Sequence, residues 1–410
     1  MSTSIVSALI RTSILFALLA TACSRPTAPP SGAQPAATAA QQPGSLRIGA
    51  SMSLTGQYAR TGKEVMNAYQ LWAEQVNEKG GVLGRKVEFV TYDDTSDPET
   101  AARLYEKLIS EDKVDLILGP YSTPVTIAAS TVTERHHFAM IVSGASGTDI
   151  WARGYKYVFG MYTMAPFYMD GAVDIAKKNG FHNVAVINEN SAFSKDVVAA
   201  ADKKAKDAGL DVVYTEEYSK DVRDLSPTLT KARGANADML IAGTYGDDAT
   251  MIVRQLKDLG WMPKMVALTI GPALPDFADS LGADAEFIMG ATQWEPSVKA
   301  PGVKEFAQAY QDKYGYAPGY HAAGGFGAAQ LLQQALQQLG AVDNEKLRDM
   351  LATLETSTVF GAYKVDASGS QTAKPSYLIQ ILGGERKIIW PDPAAEAPAK
   401  VPAPQWSQRS

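Results

Sequence analysis

Short runs of β-branched and apolar residues alternate with longer amphipathic stretches from residue 46 onward. The first run covers residues 46–52 and is followed at 62–77 by apolar residues with helical spacing. The pattern then repeats as far as a fourth strand-like run at 139–142. A second series of the same kind extends from residue 166 to residue 268. Such alternation is typical of parallel sheets covered by helices. The sequence therefore predicts an α/β protein with two doubly wound, Rossmann-like sheets.

The rest of the chain belongs to neither series. After residue 289 the sequence predicts helices at 300–314, 322–339 and 344–354, and then two strands at 363–365 and 376–382. A chain of 410 residues exceeds the ~100–200 residues of a usual domain. We therefore expect two domains, with a chain that crosses between them more than once.

The first 45 residues have a different composition. Arg11 precedes an apolar run at 14–20, which ends in small residues and leads into a tract rich in Pro, Ala, Gln and Ser. The run is too short to span a ~30 Å hydrocarbon core, which is typical of a secretory signal. The sequence predicts a signal peptide at 1–22, a disordered tether at 23–45 and an exported protein. The Pro/Ala-rich segment 391–410 is also predicted to be disordered.

Cys23 is the only cysteine of the chain and follows Ala20-Thr21-Ala22. This is the position at which bacterial lipoproteins are cut and lipidated, although Ala20 stands where that pattern usually has leucine. A buried structural cysteine is disfavoured because the polar, Pro-rich residues after it cannot pack a core. We expect Cys23 to be a lipid anchor on the periplasmic or cell-surface side. Simple secretion with an unmodified or removed Cys23 is the alternative.

Several classes of function are disfavoured by the sequence. The net charge is −6, and no Lys/Arg stripe with interleaved aromatic residues is visible, which argues against nucleic acid. The glycines at 80–84 precede a strand and those at 324–327 lack one, so neither matches a dinucleotide fingerprint. Residues 144–148 miss the last glycine of a nucleophile elbow, and the four histidines have no metal-ligand spacing. We expect no enzyme activity, no cofactor and no metal.

Two loops have the composition of an anion site. Residues 119–124 follow a predicted strand and open a helix with Ser/Thr and proline at its start. Residues 143–148 follow the next strand and are similarly rich in Ser, Thr and Gly. Backbone N–H groups and hydroxyls at such helix starts bind carboxylates. Open α/β sheets bind ligands beyond the carboxyl ends of their strands. Ordinary capped loops are the alternative interpretation.

Four segments resemble the leucine/isoleucine/valine-binding protein family, which are type I periplasmic receptors of ATP-driven importers. They are residues 46–56 (LRIGASMSLTG), 76–89 (VNEKGGVLGRKVEF), 92–98 (YDDTSDP) and 118–123 (LGPYST). The resemblance covers residues 46–390.

The resemblance implies two lobes joined by three hinge crossings, with a ligand enclosed between them. Lobe one would consist of residues 46–162 plus 291–354, and lobe two of residues 163–290 plus 355–390. A protein of this kind is expected to be a monomer that delivers its ligand to an ABC permease and its ATPase in the inner membrane. Its membrane contact would be through the lipid anchor alone.

The resemblance also implies a set of ligand contacts. In the family, hydroxyls at the positions of Thr123 and Ser146 and backbone groups at Gly144 and Ala145 hold the α-carboxylate of an amino acid. Phe193 and Tyr245 would close from lobe two, although either aromatic ring could equally belong to the core. The expected contacts are Tyr121, Ser122, Thr123, Gly144, Ala145, Ser146, Phe193, Tyr245 and Asp247.

One position departs from the family pattern. Ala273 stands approximately where members that bind branched-chain amino acids carry an acid for the ammonium group. Since an enclosed ammonium without a partner is costly, either Asp247, Asp248 or Glu189 substitutes, or the ligand has no amine. The expected ligand is a small carboxylate, foremost a branched-chain or other hydrophobic amino acid. The alternatives are an amine-free aromatic acid walled by Trp294 and Tyr121, an amide or urea, or a sensory role for the protein.

Overall fold

The computed structural model describes residues 44–409. The predicted signal peptide, Cys23 and almost all of the predicted tether lie outside the described residues. Within residues 44–409, every helix is too short or too polar to cross a bilayer.

The first sheet has five parallel strands in the order β2-β1-β3-β4-β5. Helices connect its strands, and all but one residue of β1 are buried. A parallel sheet covered on both faces needs such nearly continuous apolar strands. The elements are β1 (Leu46–Met52), α1 (Ala59–Glu78), β2 (Val87–Asp93), α2 (Pro98–Ser110), β3 (Leu116–Leu118), α3 (Thr123–Arg135), β4 (Met140–Val142) and β5 (Val158–Gly160).

A second series of strands and helices follows. Its five strands are parallel and pair in the order β10-β9-β8-β6-β7. The elements are α4 (Asp170–Lys178), β6 (Asn183–Glu189), α5 (Ala192–Asp207), β7 (Asp211–Tyr218), α6 (Ser226–Gly234), β8 (Met239–Gly243), α7 (Gly246–Asp258), β9 (Met265–Leu268), α8 (Phe277–Leu281) and β10 (Met289–Thr292).

The chain then returns to the first sheet. It forms α9 (Val303–Tyr314), α10 (Tyr320–Leu339) and α11 (Asn344–Thr353), followed by the antiparallel pair β11 (Thr356–Thr358) and β12 (Gly361–Tyr363). Helix α10 packs along α1, where Trp72 Nε1 donates to Gln333 Oε1 at 3.0 Å. Finally β13 (Tyr377–Leu382) and β14 (Glu385–Trp390) extend the second sheet antiparallel beyond β10. The second sheet therefore has seven strands.

Three segments cross between the sheets, and hydrogen bonds tie them together. Thr163 N donates to Gln293 Oε1 at 2.8 Å, and Thr163 Oγ1 donates to the Lys374 carbonyl at 2.8 Å. The Lys374 ammonium donates to the carbonyls of Gln293 and Phe360, each at 2.6 Å. One buried lysine thus connects the second crossing to the third.

The C-terminal segment contradicts the prediction of a disordered tail as far as residue 409. Ala403 N donates to the Lys264 carbonyl at 2.8 Å, and Trp406 Nε1 donates to the Trp261 carbonyl at 3.0 Å. The Arg409 guanidinium lies over the Trp406 ring at 4.0 Å. Composition could not indicate this packing, because the groups that hold the segment lie on the second sheet, distant in sequence.

The structure confirms the predicted α/β class and both series of strands and helices. Four strands were missed, namely β5, β10, β11 and β14. Strands β5, β10 and β11 are short, and Met289–Thr292 with its Gly and Ala also has weak strand propensity. Strand β14 has six residues, but three charged residues at its start interrupt the apolar pattern. Pairing with neighbouring strands stabilises them.

Lys374 gives a direct test of the crossing network. Replacing it with methionine keeps the apolar stem but leaves two buried carbonyls without their donor. We expect Lys374→Met to lower the free energy of unfolding by about 3 kcal/mol, measured by urea denaturation. Lys177→Met, at an exposed lysine, should change it by less than about 0.5 kcal/mol. Equal effects of the two substitutions would contradict this role for Lys374.

Candidate ligand-binding site

The two sheets present their switch points to the same pocket. Strand order reverses between β1 and β3 in the first sheet and between β6 and β8 in the second. Loops after the carboxyl ends of strands at such points are where open α/β sheets bind ligands. The residues around the pocket are Tyr121, Ser122, Thr123, Gly144, Ala145, Ser146, Tyr162, Tyr168, Phe193, Tyr245, Ile270, Tyr320 and His321. Eight of the nine predicted contacts are in this set.

Asp247 is the predicted contact that the structure places elsewhere. It lies in the first turn of α7 and lines a surface depression together with Arg60, Thr250 and Met251. Consecutive helical residues point about 100° apart. Its neighbour Asp248 therefore points inward, and that side chain is buried.

Ser122 adopts a strained backbone conformation at the start of α3. Its φ is 76° and its ψ is 150°, a region that is essentially restricted to glycine. Ser122 N donates to the Gly144 carbonyl at 3.0 Å, which holds the two predicted loops together. The Ser122 side chain makes no capping hydrogen bond to the described residues of α3. The first-turn N–H groups of α3 thus retain the capacity to bind an anion.

Two further contacts fix these loops. Thr123 Oγ1 accepts from Gly147 N at 3.1 Å. From α1, the Tyr69 hydroxyl donates to the Gly119 carbonyl at 3.1 Å and also bonds with Ser143 Oγ. The two loops are therefore held in place by the Thr123 hydroxyl between them and by the buried Tyr69 of α1.

Aromatic rings from the two sheets meet over the pocket. Tyr58, which follows β1, lies 4.7 Å from the Tyr245 ring and 5.8 Å from the Tyr121 ring. Phe193 lies 5.5 Å from Tyr245 and 5.4 Å from Tyr168. The cavity left between these walls measures about 10 Å³, which is room for roughly one water. Entry of a ligand the size of an amino acid requires the walls to separate.

Five lining residues were missed by the sequence analysis: Tyr162, Tyr168, Ile270, Tyr320 and His321. Tyr320 and His321 begin α10, which reaches the pocket only because that helix packs on α1. Tyr162 follows the missed strand β5. The fold brings these residues to the pocket from segments distant in sequence, so no local sequence signal marks them.

Several polar atoms in the pocket are unsatisfied. Within the part of the chain that the structure describes, the Tyr162 and Tyr320 hydroxyls and His321 Nδ1 are buried without a hydrogen-bond partner. Burial holds the pKa of His321 well below its usual range, so the imidazole is neutral. Buried polar groups without partners cost free energy. A ligand whose polar groups form hydrogen bonds with these atoms would recover that free energy.

Glu189 and Asp248 form a buried acid pair near the pocket. Tyr218 donates to Asp248 Oδ2 at 3.2 Å. Burial and, to a lesser extent, the Asp248 charge raise the pKa of Glu189 to about 8. Burial likewise raises the pKa of Asp248 to about 6. Of the described residues that line the pocket, none is acidic. Neither acid therefore contacts the cavity directly.

Trp294, which the alternative of an aromatic-acid ligand would place in the wall of the site, belongs to the core instead. It is fully buried, and its Nε1 donates to the Val359 carbonyl at 2.9 Å. Residues 44–409 contain no cluster of His, Cys, Asp or Glu side chains that could hold a metal ion.

Comparison with known proteins places the chain in a family. The family model described as "Periplasmic binding protein" matches residues 45–385. The protein belongs to the periplasmic binding protein family. It is also 27% identical over 385 residues to a Leu/Ile/Val-binding protein homolog 7 of Brucella suis biovar 1 (strain 1330), with coverage of 89% of this chain and 96% of the relative.

Solved structures show the same fold. The branched-chain amino acid transporter substrate-binding protein LivJ from Streptococcus pneumoniae, in complex with isoleucine, matches with a TM-score of 0.78 and 23% identity. That match covers 85% of this chain and all of LivJ. A solute-binding protein from Rhodopseudomonas palustris BisB5, in complex with 3,4-dihydroxybenzoic acid, matches with a TM-score of 0.74 and 24% identity. It covers 83% of this chain and 95% of that one. The fold is that of type I periplasmic binding proteins.

The strain at Ser122 predicts an unusual effect on stability. Ser122→Gly relieves a conformation that costs about 1–3 kcal/mol but adds freedom to the unfolded chain. We expect a net gain of about 1 kcal/mol in the free energy of unfolding, measured by urea denaturation. Ser130→Gly, in the interior of the same helix, should instead destabilise the protein. A loss of stability with Ser122→Gly would contradict the strain at this position.

Proposed function

We propose that this protein is the extracytoplasmic substrate-binding component of an ABC importer. It captures a small carboxylate-bearing ligand, foremost a branched-chain or other hydrophobic amino acid, and delivers it to a membrane permease with its ATPase. The single observation that carries the proposal is the meeting of two loops rich in Ser, Thr and Gly with an aromatic wall from the opposite sheet. Its lobes would be residues 46–162 plus 291–354 and residues 163–290 plus 355–390.

The ligand's carboxylate would lie against the loops of the first sheet. The N–H groups of the first turn of α3 carry the positive end of the helix dipole. The hydroxyls of Ser122, Thr123 and Ser146 line the same pocket. Hydrogen bonds to a charged group contribute about 1.5–3 kcal/mol each, so this end of the pocket would supply most of the polar recognition.

The ligand's side chain would face the aromatic residues. Phe193, Tyr245 and Ile270 line the pocket from the second sheet and offer apolar surface. The Leu/Ile/Val-binding name of the Brucella relative and the isoleucine in the LivJ complex support an amino-acid ligand.

An amine-free aromatic acid is a second candidate. The described lining residues include no acid, and the unpaired Tyr162 and Tyr320 hydroxyls and His321 Nδ1 can bond to substituents on a ring. The Rhodopseudomonas palustris complex with 3,4-dihydroxybenzoic acid supports this candidate.

Closure would depend on contacts between the two sheets. Thr148, in a loop of the first sheet, donates through both N and Oγ1 to Asp196 of α5, at 2.6 and 2.8 Å. Arg60 of α1 forms an ion pair with Asp276, which follows β9. A ligand favours the closed form only by its greater affinity for that form. Micromolar binding, ~8 kcal/mol, is sufficient for capture and still permits release.

Cys23 would hold the protein at the membrane surface. We expect the wild-type protein to sediment with membranes after expression in a bacterium with lipoprotein processing, and Cys23→Ala to appear in the soluble exported fraction. Ser24→Ala serves as the matched control and should behave like the wild type. A wild-type protein that is entirely soluble would contradict anchoring at Cys23.

The carboxylate loops give the main test. Thr123→Ala combined with Ser146→Ala removes two hydroxyls and should weaken ligand binding at least about 100-fold. The measurement is thermal shift, followed by calorimetry, with leucine, isoleucine, valine, benzoate, 3,4-dihydroxybenzoate and urea as probes. Ligand binding raises the melting temperature by mass action.

Thr131→Ala combined with Ser219→Ala, at two exposed positions, is the matched control and should retain full affinity. Circular dichroism checks that the Thr123 variant still folds, because Thr123 Oγ1 also accepts from Gly147 N. Unchanged affinity in a folded double variant would contradict the assignment of the loops. The proposed function fails if no carboxylate in the panel binds.

A further inference from the structure

Glu64 in α1 is a buried carboxylate without a cation of its own. Its side chain is 4% exposed, and its Oε2 has no hydrogen-bond partner among residues 44–409. The two nearby guanidinium groups are engaged by other acids: Arg60 pairs with Asp276, and Arg386 pairs with Glu295 at 3.0 Å. Burial raises the pKa of Glu64 to about 8, despite the opposing effect of the Arg386 and Arg60 charges.

The face of α1 that carries Glu64 runs along the pocket. Thr61 is one turn before Glu64, and both side chains are buried. Tyr69 is little more than one turn after it and bonds to the Gly119 carbonyl. Because five helical positions correspond to a rotation of about 140°, Glu64 and Tyr69 lie on different faces of α1. Glu64 thus belongs to the helix that holds the loop after β3 through Tyr69.

Glu64 also lies near the loop of the second sheet that carries Ala273. Gly319, immediately before the lining residues Tyr320 and His321, separates it from the Ala273 carbonyl. A Cβ atom built on Gly319 would lie 2.9 Å from Glu64 Oε2 and 3.4 Å from Ala273 O. The carboxylate of Glu64 therefore occupies the neighbourhood of Ala273, where the sequence comparison expects an acid and the chain has none.

We propose that Glu64 is the residue that pairs with the ligand's ammonium group and so selects amine-bearing ligands. This inference rests on the proposed function, with an amino acid as the ligand. The carboxylate of the ligand would bind Thr123 and Ser146, and its ammonium would point to the Tyr121–Tyr320 side of the pocket. Glu64 lies beside Gly319 next to that side, although it does not itself line the cavity. The acid that pairs with the ammonium would thus come from α1 instead of from position 273.

The physical basis is charge balance in a water-poor site. An enclosed ammonium without a partner is costly, and so is an ionised carboxylate without one. Each group removes the other's penalty, so the amine of the ligand should increase affinity. A ligand with the same carbon skeleton but no amine would gain nothing from Glu64.

The test compares L-leucine with 4-methylpentanoate, which has the same skeleton without the amine, by calorimetry on the purified protein. Glu64→Gln should weaken leucine binding at least about 100-fold and leave 4-methylpentanoate binding within about threefold. Glu64→Ala combined with Ala273→Glu moves the acid to the neighbouring position 273, whose carbonyl lies beside Gly319. This pair should restore leucine binding to within about tenfold of the wild type.

Glu74→Gln, at an exposed acid of the same helix, is the matched control and should leave both affinities unchanged. Equal leucine affinity in the wild type and Glu64→Gln overturns the inference while the proposed function stands. Binding of amine-free acids alone by the wild type also overturns it. If neither probe nor any other carboxylate binds, the proposed function itself fails.

Circular dichroism shows whether Glu64→Gln still folds. If it does not, the variant with Glu64→Ala and Ala273→Glu decides, and the inference falls if that variant does not recover leucine binding.

Discussion

Parallel strand pairing is the constraint on which the site depends. All five strands of the first sheet and five of the second run parallel within their sheets, so the loops after them emerge at one edge of each sheet. The structure brings these two edges together around one pocket. Polar residues in the loops after the strands, such as Ser122 and Ser146, thereby lie around the same pocket as Phe193 and Tyr245.

The pocket concentrates unfavourable local features within a well-packed protein. Ser122 has a backbone conformation that favours glycine, and two phenol hydroxyls and one imidazole nitrogen lack partners among the described residues. Such features persist only where the surrounding structure fixes them, and they cluster at functional sites. Here the surroundings include Tyr69 behind the loops and the lysine network at the three crossings. A bound ligand is the natural source of the missing hydrogen bonds.

Much of this arrangement could be predicted from the sequence, because the signals are local. Strand 46–52 and helix 98–110 agree with the structure to the residue, since an apolar run defines the first and Asp97-Pro98 caps the second. The loops at 119–124 and 143–148 lie at the pocket because they directly follow β3 and β4, whose carboxyl ends meet at one edge of the sheet. Asp247 lies at a surface depression instead, and its inward-pointing neighbour Asp248 does not line the pocket either. Tyr320 and His321 reach the site through the packing of α1 and α10, which no local pattern reveals.

A crystal structure with the probe that gives the largest thermal shift would test the central claim most directly. The account predicts one ligand enclosed between the two sheets, with its carboxylate oxygens about 3 Å from the Thr123 and Ser146 hydroxyls and its side group against Phe193 and Tyr245. A ligand bound at another surface, or one whose carboxylate faces the second sheet, would contradict it.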